Sequence, residues 1–384
     1  MNTADREGPF DPNAEHEALR AAVRDYCGRH WSEARVRAAI GDPGSVPTRA
    51  WSTLGNELGL LGLAIPEEQG GSGASLVELT IVAEEFGRAL VPLPWLSSVI
   101  AAEVLSTAGE TDLVRRICDA ELRCALVGPT DGCWVSDTEL VHAVRADDGW
   151  LLTGAARHVI DGVEADTFVV LADADGSGLF VVDASAAGID VERNPTMDPT
   201  RGQATVSFAS TPARWIGDAS TMIDAVVSRA AVLVAAESVG VATRMLDLAV
   251  DYARSRVQFG RKIGSFQAVK HRCADMFVEL EEAQSATTYA AWVNGSGVDD
   301  DLLTSTLAHV LATGAAQSIT ADAVQVFGGI AITWEHPAHL YYKRAVVDAV
   351  LWGGAQHRER LAARALDDGL ALARPENTNE KVAI

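Results

Sequence analysis

The sequence is short of positive charge. Its 384 residues carry 31 Lys and Arg against 53 Asp and Glu, for a formal net charge of -22. A nucleic-acid partner needs a basic face that displaces counterions, and nothing of that kind is present overall, so no nucleic-acid partner is expected. A polyanionic ligand would need a local cluster of Arg and Lys working against the global field. Cysteine is scarce too. Cys27, Cys118, Cys124, Cys133 and Cys273 are odd in number, scattered and without CxxC spacing. That pattern argues against a disulfide or zinc framework and for buried thiols in a reducing compartment; no metal site is expected. The opening MNTADREGPFDPNAEH is acidic and polar and lacks the charged-then-apolar order of a signal peptide. No apolar run of about 18 residues goes uninterrupted, so no membrane span is expected and the cytoplasm is the default. Internal repeats and low-complexity tracts are absent.

What is abundant is apolar residue, 48 % of a chain too long for one ordinary core. Two or three packed domains follow from that. The texture changes along the chain. Residues 1–120 read as helical, with HEALRAAVRDYCGRH and SLVELTIVAEEFGRALV at helical spacing around the breaker LGLAIPEEQGGSGAS. Residues 121–218 hold short β-rich runs such as CALVG, GWLLTG, TFVVLAD, GLFVVDA and QATVSFA, the pattern of a small barrel or sandwich. Residues 219–368 are helical again in long amphipathic blocks, and Gly260 stands as a plausible helix terminator. The tail 369–384 is polar and expected to be mobile. The order α, then β, then α implies an α+β arrangement rather than alternating βαβ units.

Three separated strings carry the chemistry: LGLLGLAIPEEQGGSG at 58–73, RSRVQFGRKIGSFQAVKHRCADM at 254–276 and DAVQVFGGIAITWEHPAHLYYKRA at 322–345. Taken singly, each has a bland reading: a loop turn, arginines satisfying a helix end, a glycine helix stop. Taken together and in order, they resemble the acyl-CoA dehydrogenase family over residues 14–366. The resemblance implies an N-terminal helical domain, a middle β-barrel or sandwich and a C-terminal four-helix bundle. It also implies FAD as hydride acceptor and an acyl-CoA thioester as substrate. Such chemistry needs a held flavin, a held thioester and a base that takes the proton beside the carbonyl.

In the resembled family each flavin lies between two subunits. The neighbour contributes an R-x-x-F-G…Q stretch and a Q-x-x-G-G stretch. Both are intact here, as Arg256, Gln258, Phe259, Gly260 and Gln267, and as Gln325, Gly328 and Gly329. A guanidinium suits a pyrophosphate by its fixed charge and forked donors, and glycine lets backbone approach closely.

The ring-side half departs from the family. Where a T-E-P-x-A-G-S-D loop is usual, this chain has ALVGPTDGCWVSD at 125–137, with Val127 and Gly128 at the expected hydrogen-bonding positions. Where W-I-T or W-I-S is usual, it has His158, Val159 and Ile160, and Ile160 has no polar hydrogen to donate. The base is missing from both usual places. The Y-E-G-T position holds Leu351, Trp352, Gly353, Gly354 and Ala355, and the early-helix position holds Ser228, Arg229, Ala230 and Ala231. Glu237, about two turns further along that helix, is the one displaced candidate; a surface carboxylate or a structural ion pair is the preferred reading of it.

The chain therefore keeps what it would give to a neighbour's flavin and lacks what its own would need. This asymmetry, with WEHPAHLYYKRA and AAESVGVA, resembles the paired acyl-CoA dehydrogenases of actinobacterial steroid side-chain breakdown. These assemble as α2β2 heterotetramers and act on bulky polycyclic CoA thioesters. A paralogous partner subunit is expected to supply the base. Two alternatives stay open: a self-sufficient homotetramer with Glu237 as base, and a non-catalytic acyl-CoA-binding scaffold.

Overall fold

The computed structural model describes residues 13–363 apart from 43–45, 129–140, 148, 221, 299, 355–357 and 360–362. The tail expected to be mobile, most of the 125–137 loop, Cys133 and Ala355 therefore lie outside the described residues.

Six helices open the chain: α1 (Ala14–His30), α2 (Glu33–Gly41), α3 (Thr48–Ser52), α4 (Leu76–Ala89), α5 (Trp95–Thr107) and α6 (Thr111–Cys118). Local chemistry sets their limits. At the start of α4, the Ser75 hydroxyl accepts from the Val77 amide at 3.1 Å, and the Glu78 carboxylate accepts from the Ser75 amide at 2.8 Å. That reciprocal cap satisfies donors the first turn leaves orphaned. The preceding GGSG run is fixed in place. Ser72 and Gly73 donate to the Gly62 and Ile65 carbonyls, and a Cβ at Gly71 would lie 2.1 Å from the Ile65 oxygen. Helix α5 is buried nearly all round, as an apolar WLSSVIAAEVL run requires.

Seven strands follow: β1 (Cys124–Val127), β2 (His142–Ala146), β3 (Gly149–Ile160), β4 (Thr167–Asp173), β5 (Ser177–Asp183), β6 (Ile189–Arg193) and β7 (Gln203–Asp218). β4 pairs with β5, β5 with β7, β7 with β3, β3 with β2, and β2 returns to β4, which closes a barrel; β1 and β6 add to β4 and β7. Among the described residues β1 and β6 have one partner strand each, and β2 meets β4 at the single pair His142 and Asp173. Phe168, Val170, Phe180 and Val206 fill the interior.

The chain returns to helix in α7 (Ile223–Ser255), α8 (Gln267–Val293), α9 (Asp301–Phe327) and α10 (Ala338–Asp348), with a two-strand hairpin, β8 (Val257–Gln258) and β9 (Arg261–Lys262), between α7 and α8. α7 is apolar enough by length and composition to cross a membrane, but 83 % of that window is buried, the condition of a central core helix. It lies against α4 at glycine contacts. A Cβ at Gly240 would stand 1.9 Å from the Glu84 carbonyl oxygen, and one at Gly87 would stand 2.1 Å from that of Glu237. The architecture is helical, then β, then helical, as the change of texture implies. Gly260 differs from expectation. The helix ends at Ser255 because Arg256 turns extended (φ -67°, ψ 129°), and Gly260 serves the hairpin turn instead. Cys27, Cys118, Cys124 and Cys273 are unpaired thiols.

Candidate functional site

The first group of residues is brought together by helix direction. Near its start, α7 bonds to the start of α9: Ser228 Oγ donates to the Asp301 carbonyl at 2.8 Å and lies 2.9 Å from Ser305 Oγ. At the far ends Tyr252 meets Phe327 edge-on at 5.4 Å. The two helices thus run the same way with α8 returning between them. The hairpin after α7, the first turn of α8 and the glycines after α9 all reach one end of the bundle. Arg272 of α8 pairs there with Asp322 of α9.

The hairpin is an arm. Every residue from 254 to 262 is exposed. Its turn is Phe259-Gly260 with φ of 54° and 75°, the double positive φ of a tight hairpin turn. Arg254, Arg256, Arg261 and Lys262 give it a local positive charge on a chain of net -22. The Arg261 guanidinium sits 4.1 Å over the Phe266 ring, and Phe266 meets Phe259 at 6.1 Å, which stiffens the arm's base. Phe259 is nonetheless 92 % exposed. Leaving such a ring in water forgoes about 1.5–3 kcal/mol. Ile332 at 78 % and Trp334 at 55 % exposure continue the apolar surface after α9.

Gln258, Gln267 and Gln325 are exposed around this end. Gly328 has φ 69° and ψ -150°, a backbone region that side chains exclude. Gly329 has no such need, and a Cβ built on either glycine would meet nothing within 4 Å. The chain's own packing gives no reason for the bareness of Gly329.

The second group lies between the barrel, α5 and the start of α7. Val127 is fully buried in register with Val170, and Gly128 borders an apolar cavity. Trp352 is among the residues that line that cavity. It is 6 % exposed with φ 50°, and Val104, Leu126, Met222 and Val226 line the same space. No described residue of the lining is ionisable. Ile160 is buried among the helices rather than on a polar face, while His158, at φ 58°, turns its Nδ1 to Gln203 Oε1 at 3.0 Å. Ala230 is buried in the α7 core.

Glu237 stands apart from both groups. One carboxylate oxygen accepts from Arg201, the other from Arg344, and the residue is 6 % exposed. Burial pushes its carboxyl up, but Arg201 and Arg344 override this and hold it below the usual range. Arg344 also donates to Asp198 and, at 2.6 Å, to Thr200 Oγ1. Asp348 lies 3.7 Å from Arg201. Of this cluster, the sequence alone singles out only Glu237. The available signal was the charge itself, since Glu237, Arg344 and Asp348 interrupt otherwise apolar helix faces.

Comparison with known proteins agrees with the architecture. Residues 13–120 match the family described as acyl-CoA dehydrogenase, N-terminal domain, and residues 220–366 match acyl-CoA dehydrogenase, C-terminal domain. Among curated relatives, the acyl-CoA dehydrogenase IpdE2 of Mycolicibacterium smegmatis is 36% identical over 90% of this chain and 97% of its own. The acyl-CoA dehydrogenase FadE27 of Mycobacterium tuberculosis is 31% identical over 81% of this chain and 86% of its own. Among solved structures, the ChsE4-ChsE5 complex from Mycobacterium tuberculosis superposes with TM-score 0.85 at 26% identity, covering 94% of this chain and 99% of the matched one. A variant of the Tcur3481-Tcur3483 steroid ACAD gives TM-score 0.83 at 28% identity, covering 93% and 99%. The chain therefore belongs to the acyl-CoA dehydrogenase family, whose members are FAD-dependent oxidoreductases acting on the CH–CH bond of acyl-CoA thioesters.

Proposed function

We propose that this chain is one subunit of a heteromeric acyl-CoA dehydrogenase, that it completes the flavin site of a paralogous partner, and that it supplies no base of its own. The observation that carries this reading is the contrast between its two surfaces. The exposed arm and the glycine end of α9 offer fixed positive charge, amide side chains and bare backbone, the donors a pyrophosphate needs. The described lining of the cavity beside the barrel is apolar, with Trp352 where the family's carboxylate would stand.

The arm residues fit the pyrophosphate end of FAD; the described ring-side residues do not offer the matching cradle. When bound, FAD supplies the hydride acceptor for forming an α,β double bond in the thioester. Arg256 would hold the pyrophosphate by charge and forked donors. Gln258, Gln267 and Gln325 would orient it, Gly328 and Gly329 would let it approach, and Phe259 would shut water from the interface. The base would come from the partner. Glu237 is a poor base because both of its oxygens already accept from guanidiniums and its proton affinity is depressed. The substrate class is a CoA thioester. The steroid enzyme among the similar structures makes a steroid side chain the specific candidate.

The test is Arg256→Ala in the co-purified complex. Flavin retained per complex should fall at least several-fold while assembly is unchanged; full retention removes Arg256 from the site.

A further inference from the structure

The largest buried set of ionisable groups among the described residues faces neither the arm nor the apolar cavity. Asp161 follows β3, Asp198 and Arg201 precede β7, Glu237 is on α7, and Arg344 and Asp348 are on α10. All are at most 7 % exposed. Ser97 of α5 donates to Asp161 Oδ2 at 2.7 Å, which brings the N-terminal helices into the same junction. Glu164, in the loop after β3, is the remaining acidic neighbour and is tied to Arg193 at 2.6 Å. All three domains therefore meet on this cluster.

Its charges do not balance. Four carboxyls face two guanidiniums. An uncompensated ion in such a place costs several kcal/mol, and the usual escape is to take up a proton. Geometry says which groups take it. Asp198 and Glu237 accept directly from Arg344, and Glu237 also from Arg201. Asp348 is fully buried, neither of its oxygens has a hydrogen-bond partner, and its nearest guanidinium nitrogen is 3.7 Å away. Asp161 has the Ser97 hydroxyl but no guanidinium in contact.

We propose that Asp161 and Asp348 form a proton-holding clasp at the meeting point of the three domains: both are neutral acids in the docked fold, and their ionisation loosens the junction. Burial drives both upward. Asp161 is pushed from 3.8 to about 7 against the pull of Arg201, and Asp348 is pushed well above its ordinary value by burial and by Glu237 beside it. The sign follows. Between the ordinary value near 3.8 and about 7, the folded chain holds a proton on Asp161 that the unfolded chain has lost. Asp161's contribution to stability therefore falls as pH rises through that window, and that of Asp348 falls in the same direction above its ordinary value. Asp198 and Glu237, both held low, titrate below it.

The experiment is thermal unfolding of the full chain from about pH 5.5 to about pH 8.5, for wild type, Asp161→Asn and Asp348→Asn, with infrared spectra of wild type over the same range. Asparagine mimics the neutral acid. Each variant should therefore gain on wild type as pH rises, the gap growing by about 2–3 °C for a chain of 384 residues. Wild type should keep a protonated-carboxyl C=O band near neutral pH, where surface carboxyls are ionised. Parallel melting curves in all three proteins would overturn the clasp. If a variant fails to fold, the infrared titration decides alone, and absence of the protonated band at neutral pH overturns it equally.

Discussion

Arg344→Met is the substitution whose cost the structure fixes most closely. The guanidinium is 1 % exposed and donates to Asp198, Glu237 and Thr200. Methionine keeps much of the volume and removes the charge. Asp198 and Glu237 then share a buried space with Arg201 alone, and neither can reach water. Breaking a buried pair from one side costs about 3–5 kcal/mol because the remaining charge is stranded. At about 1.2 °C per kcal/mol for a chain of 384 residues, the melting temperature should drop by about 4–6 °C near neutral pH. The loss should also depend on pH. Arg344 holds Asp198 and Glu237 below the ordinary carboxylate range, so its stabilisation is present above that range and fades as pH falls through it. The gap between wild type and variant should be full near neutral pH and should narrow only below the ordinary carboxylate range, by about pH 3. Urea unfolding at both pH values measures this directly. A neutral-pH cost under about 1 kcal/mol, or a gap that does not narrow in acid, would refute the placing of Arg344 as the cluster's main counter-charge.

Two further outcomes follow from the packing and the charges. Gly240→Ala should destabilise the chain by about 1–3 kcal/mol, although alanine is the better helix former, because its Cβ would lie 1.9 Å from the Glu84 carbonyl; a variant that melts above wild type would contradict the close α4–α7 contact. Glu237→Gln should cost less than Arg344→Met, because Glu237 is among the groups that keep Asp348 protonated and its loss lets Asp348 ionise towards Arg201. In the assembled complex, turnover should survive that change; abolished turnover with flavin still bound would restore Glu237 as the base.

The parts of the molecule legible in the sequence are those encoded by neighbours. RSRVQFGRKIG contains its whole hairpin, so the arm and its charge can be read from eleven consecutive letters. The α-β-α order is equally local, since periodicity changes where the strands begin. Parts built from distant segments were not legible. Glu237 could be named as a carboxylate in an apolar helix, but its partners come from positions 201 and 344, and only folding places them beside it. The sequence shows that no carboxylate stands at Trp352. It does not show that Trp352 takes a left-handed backbone and lines the apolar cavity. Gly260 illustrates a third case: the same letter serves a helix stop or a hairpin turn, and the extended Arg256 decides between them.

The visible absorbance spectrum tests most directly the division of labour proposed between the two chains. This chain should be colourless when purified alone and should form a yellow complex when co-expressed with a paralogous acyl-CoA dehydrogenase that carries the base. Stoichiometric FAD on the lone chain, with turnover of a CoA thioester, would contradict it.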